Sequence, residues 1–119
     1  MDDTWFNGMA DELAQCLVDA EACADACERL LDASRETGDL DLQRRLRDAL
    51  VAPAAVARVL IDLVDYPPPL VLAAARLHRD RGAAAIAQLE ALGGRIDGDE
   101  ALDALRASVG SCADLLAAG

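Results

Sequence analysis

Three short interruptions divide this chain into four long stretches, and that spacing leaves few folds open. Thr37-Gly38-Asp39 joins a glycine, suited to end a helix in the left-handed region, to an aspartate suited to cap the next one. Asp65-Tyr66-Pro67-Pro68-Pro69 stops one helix and starts another, since proline is tolerated in a first turn. Gly93-Gly94-Arg95-Ile96-Asp97 ends a third helix, with Asp97 as the expected cap of the fourth and Glu100 completing a capping-box pattern. Short connections between long helices force neighbours to run antiparallel. The chain therefore reads as a single all-α domain over residues 1–119, an antiparallel up-down-up-down four-helix bundle.

Composition agrees. Ala and Leu, both strong helix formers, fill 45 of 119 positions, and no β-branched or aromatic run alternates with a period of two. Inward stripes follow from steps of three and four. The first helix, about 4–36, presents Phe6, Met9, Leu13, Cys16, Ala20, Cys23, Cys27 and Leu30. The second, about 40–64, presents Leu42, Leu46, Ala49, Pro53, Val56, Leu60 and Leu63. The third, about 68–92, presents Val71, Ala75, His78, Gly82, Ala85 and Leu89. The fourth, about 98–117, presents Leu102, Leu105, Val109, Cys112 and Leu116. Pro53 predicts a kink or short break near Leu50–Pro53.

All four cysteines and the only histidine fall on these stripes. Cys23 and Cys27 share a helix face, with Cβ atoms about 6 Å apart. Cys16 lies seven residues before Cys23, roughly 10.5 Å along the axis. A register taken from the turns sets Cys112 beside Cys23 and His78 level with Cys112. Cys23, Cys27, Cys112 and His78 are then expected at one height, with Cys16 as a further candidate ligand. Thiolates favour Cu(I), and three of them with one imidazole also suit tetrahedral Zn(II), the less favoured choice. The competing account is packing, because a reduced cysteine behaves as a small buried hydrophobe.

The segment Cys16-Leu17-Val18-Asp19-Ala20-Glu21-Ala22-Cys23-Ala24-Asp25-Ala26-Cys27-Glu28-Arg29-Leu30 resembles the first helix of the cysteine-rich four-helix-bundle copper storage proteins. Chain length, helix order and the late cysteine in Ser111-Cys112-Ala113-Asp114 are also similar. The resemblance implies C-x₃-C pairs lining a bundle that takes up many Cu(I) ions. Here only Cys23–Cys27 keeps such a pair, and the second and third helices contain no cysteine. Four thiols cannot build a multi-ion store, so a degenerate member holding one or two ions is expected. The alternative is a metal-free oligomerisation or protein-interaction module.

Other classes are disfavoured. The net charge of −11, with no lysine, opposes binding to nucleic acid or anionic membranes. Residues 1–37 alone carry ten acids against two arginines. The longest apolar stretch, 49–64, contains Pro53, Arg58 and Asp62 and is not a membrane span. The start, Met1-Asp2-Asp3-Thr4, lacks a signal peptide's basic region, so a cytoplasmic location with reduced thiols is expected. A di-iron site needs Glu-x-x-His, and Ala75 stands three residues before His78. Asp19, Glu21, Asp25 and Glu28 should raise the neighbouring thiols and oppose nucleophilic chemistry, so no enzyme is expected. Val51, Val59, Ile61, Leu70 and Leu72 are apolar but off the stripes, which suggests a homo-oligomer. Arg76, Arg79, Asp80 and Arg81 read as a solvated strip, and Trp5 and Phe6 as a cover for one bundle end.

Overall fold

The computed structural model describes the backbone of residues 3–119 and the side chains from residue 9 onward. Trp5 and Phe6 lie outside the described side chains. Four helices follow in order: α1 (Asp3–Arg35), α2 (Leu40–Asp62), α3 (Pro68–Leu92) and α4 (Asp99–Ala118). Single 3-10 turns at Leu63–Asp65 and Gly93–Arg95 extend the ends of α2 and α3. Each helix packs against its sequence neighbours, and α1 also packs against α4. The closed antiparallel bundle measures 52 × 20 × 17 Å. No helix among the described residues is long and apolar enough to cross a membrane.

Local chemistry explains the boundaries. Gly38 has φ 72°, the left-handed conformation that ends α1 without a Cβ clash. Asp39 caps α2, its carboxylate accepting from the Leu42 N–H at 3.1 Å. Pro68 opens α3, where a missing N–H costs nothing. At α4 the expected capping box does not form. Gly98 is the cap residue, and Asp97 instead accepts from the Asp99 N–H at 3.2 Å. Glu100 turns outward to Arg29 on α1, with Arg29 Nε at 2.7 Å.

Helix α2 runs unbroken through Pro53, so of the kink or short break expected there the break does not occur. The pyrrolidine ring is fully buried, so its packing offsets the lost backbone hydrogen bond. Leu42, Leu46, Leu50, Leu60, Leu105 and Leu115 are also fully enclosed, each contributing about 1.5–3 kcal/mol of transfer free energy. The core divides into two clusters along the long axis. One holds Cys16, Ala20, Val71, Cys112 and Leu115; the other holds Cys23, Cys27, Leu50, Ala85 and Leu105.

The expected inner stripe of α3 is buried throughout, as is that of α1 from Met9 onward. On α4 the face is turned by about one residue. Ala101, Leu105, Ser108, Cys112 and Leu115 are buried, while Leu102, Val109 and Leu116 are only partly covered. Gly82 on α3 and Ser108 on α4 let the two backbones approach closely, and a Cβ on Gly82 would lie 2.6 Å from Val109 Cγ2.

Candidate functional site

All four thiols are buried with no accessible surface, and so is His78. The structure sorts the thiols into two pairs. Cys16 on α1 meets Cys112 on α4 with Sγ atoms 3.3 Å apart. Cys23 and Cys27, one turn apart on the buried face of α1, make up the second pair. His78 projects from α3 beside Cys23, and its Nε2 lies 2.6 Å from Ser108 Oγ on α4.

The expected meeting of Cys112 with Cys23 does not occur. Cys112 stands opposite Cys16, six residues or about 9 Å along α1 from the position read from the turns. The cause is an overhang. Gly98 sits beside Leu30 rather than at the tip of α1, so the last turn and a half of α1 extends past the start of α4. Arg29–Glu100 and Ser111–Asp19 hold the same register, the Ser111 hydroxyl donating to the Asp19 carboxylate. The connection before α4 folds back over that end, where Arg95 bridges Asp39 at 2.8 Å and Asp41 at 3.2 Å. Cys23, Cys27, Cys112 and His78 are therefore not gathered around one point. Among the described residues, no group of three or more His, Cys, Asp or Glu side chains is arranged to hold a metal ion.

Electrostatics separate the members of each pair. The neighbouring Cys27 thiol, with help from His78 and Ser108, lowers the Cys23 thiol from 9.0 to about 6 against the opposing effect of burial. Cys27 is raised in return, and burial and the charges of Cys23 and Glu28 add to the rise. The other pair behaves alike. Cys16 is lowered by its hydrogen bond from Cys112, and Cys112 is raised by the same bond, by burial and by nearby negative charge. The expected rise from acidic neighbours is the smallest contribution where it occurs, Asp19 at Cys16 and Glu28 at Cys27, and Cys16 and Cys23 are lowered overall. For Cys16 and Cys23 the sulfur partner is the largest single influence. Two of the acidic neighbours, Asp25 and Glu28, are engaged by Arg58 on the outer face.

Ser108 and Ser111 were absent from the sequence-based candidates. A signal for Ser108 existed, because a histidine on an apolar stripe needs a hydrogen-bond partner. Ser108 also lies on the 101, 105, 108, 112, 115 spacing that the bundle buries. His78 Nδ1 has no hydrogen-bond partner by donor–acceptor geometry, the one such buried side-chain nitrogen or oxygen among the described residues. Such a nitrogen is a costly feature to keep in a core unless a soft neighbour or a ligand meets it.

A scan against protein-family models and searches of curated proteins and of solved structures found no match to this chain.

Proposed function

We propose that the bundle binds a soft monovalent ion, Cu(I), through its paired core thiols, at most one ion per pair. The observation that carries this reading is the sorting of four buried thiols into two pairs, each with one sulfur disposed to ionise. Two thiolates suffice for Cu(I), whereas zinc requires donors that do not converge here. The Cys23–Cys27 pair is the primary site, with His78 beside Cys23. Cys16 and Cys112 form the secondary site. At sulfur–metal bonds of about 2.3 Å, a linear arrangement needs sulfurs about 4.6 Å apart, so this pair must open by roughly 1.3 Å from its 3.3 Å contact. The resemblance of the Cys16–Leu30 segment to the copper storage helix supports the same ion. A reduced intracellular location fits thiols that stay unoxidised.

An anaerobic Cu(I) titration against a competing chelator tests the proposal. Two equivalents are expected for the parent chain, and one each for Cys23→Ala/Cys27→Ala and Cys16→Ala/Cys112→Ala. If the parent binds no more tightly than the Cys23→Ala/Cys27→Ala variant, the primary site is excluded. If the parent also binds no more tightly than a chain with all four cysteines changed to alanine, the thiols are core residues of a metal-free interaction module, a reading that the exposed apolar side chains of α2 and α3 favour.

A further inference from the structure

We propose that Cys16 and Cys112 form a reversible dithiol–disulfide pair, which a neutral peroxide closes into a covalent link between α1 and α4. The cross-link needs no metal, so it stands or falls separately from the copper reading.

The pair lies on the one seam between neighbouring helices that no turn joins. Turns connect α1 to α2, α2 to α3 and α3 to α4, whereas α1 and α4 pack together without one. A bond between cysteines 96 positions apart completes the ring of four helices covalently. The Sγ atoms are in contact at 3.3 Å, about 1.3 Å more than the bond length of a disulfide. Side-chain rotation and a small approach of the two helices close that gap. Cys23 and Cys27 have no such route. Their Cβ atoms are about 5–6 Å apart on one helix, whereas a disulfide needs about 3.5–4.5 Å. Joining them would require α1 to distort.

The surface over the pair selects the oxidant. Neither sulfur is accessible, so a reagent arrives when α1 and α4 part locally. On the outside of that seam a groove of about 200 Å³ is lined by Asp11, Glu12, Gln15, Ser111 and Asp114. Gln15 and Ser111 are the chain neighbours of the two cysteines, which sets the groove at their level. Its three carboxylates, in a chain of net charge −11, oppose an anionic disulfide such as oxidised glutathione. Hydrogen peroxide is small and uncharged.

The chemistry balances with that oxidant alone. One sulfur, as thiolate, attacks a peroxide oxygen; the O–O bond breaks, giving a sulfenic acid and a hydroxide that takes up the thiol's proton. The second sulfur then attacks the first, the S–S bond forms, the S–O bond breaks and another water leaves. Two thiols are oxidised to one disulfide, and the peroxide is reduced to two waters. The partner sulfur is already in contact, so it captures the sulfenic acid before further oxidation. A thiol reductant returns the dithiol by exchange.

Hydrogen peroxide treatment of the metal-free full chain, followed by denaturation and alkylation, tests the pairing. The parent should fall from four alkylatable thiols to two, and dithiothreitol should restore all four. Digestion after arginine should yield the fragment ending at Arg29 joined to the one beginning at Ala107, a readout that needs no substitution. Cys23→Ala/Cys27→Ala should lose both remaining thiols and migrate faster than its reduced form on a denaturing gel. Its Tm should rise by roughly 10–20 °C on oxidation, from closure of the long loop. Cys112→Ala should form no internal link and gain oxygen on sulfur instead. Oxidised glutathione should cross-link the parent at least about tenfold more slowly than peroxide. A parent that forms no Arg29–Ala107 fragment pair, a folded Cys23→Ala/Cys27→Ala chain that keeps its thiols, or a link that lowers Tm overturns the proposal. Equal rates with glutathione overturn the choice of peroxide.

Discussion

Gly82 lies within α3, one turn beyond His78, where an alanine would ordinarily favour the helix by about 1 kcal/mol. The structure opposes that gain. A Cβ built there sits 2.6 Å from Val109 Cγ2, about 0.8 Å short of ordinary contact. Val109 is β-branched and in a helix holds one strongly preferred rotamer, so it does not swing aside cheaply. The alternative is separation of α3 from α4, which would stretch the 2.6 Å His78–Ser108 contact to the limit of a hydrogen bond. Overpacking of this kind costs about 1–3 kcal/mol, so Gly82→Ala should be neutral to about 2 kcal/mol destabilising once helix propensity is included. Gly110 on α4 supplies the control. It is exposed, nothing lies within 4 Å of its added Cβ, and Gly110→Ala should stabilise by about 1 kcal/mol. Thermal unfolding followed by circular dichroism should place the two variants about 1–3 kcal/mol apart, at roughly 4 °C per kcal/mol. Adding Val109→Ala to Gly82→Ala should recover part of the propensity gain. If both glycine variants raise Tm equally, the close approach of α3 and α4 is wrong.

Two further outcomes follow from named contacts. Ser108→Ala removes the partner of His78 Nε2 inside the core and should cost about 1–3 kcal/mol in urea denaturation; a variant as stable as the parent would show that the imidazole does not depend on Ser108. The Asp39 carboxyl is held below its ordinary 3.8, first by the Leu42 N–H and then by Arg95. A lowered folded value contributes stability above the unfolded pKa and loses it as pH falls through the folded one. Asp39→Ala should therefore be less stable at neutral pH and lose less of its stability on acidification below 3.8, and a parent-like acid profile would refute the assignment.

The helix boundaries were legible because each rests on a local signal, Gly38 with Asp39 or the proline run at 67–69. The faces of α1 and α3 were legible because apolar spacing alone determines them. The face of α4 was not. Leu102, Val109 and Leu116 are the larger hydrophobes there, yet Ala101 and Ser108 are the buried residues, while Val109 lies over Gly82 of the opposite helix. That choice belongs to a pair of helices and cannot be read from either one. The thiol pairing was missed for a related reason. Periodicity sets Cys16 and Cys112 on the core side, but their depth depends on how far α1 overhangs α4. Gly98 resting on Leu30 fixes that distance, and no turn motif encodes it. The Asp97–Glu100 box failed because Arg29, seventy-one positions away from Glu100, competes for the same carboxylate.

The four sulfurs also give the bundle internal clocks. None touches solvent, so an alkylating reagent reaches each only when the surrounding helices part. Cys16 and Cys112 belong to one half of the interior, Cys23 and Cys27 to the other. Labelling rates at the two pairs would time the breathing of each half separately, and equal rates would mean that the helices come apart as one unit.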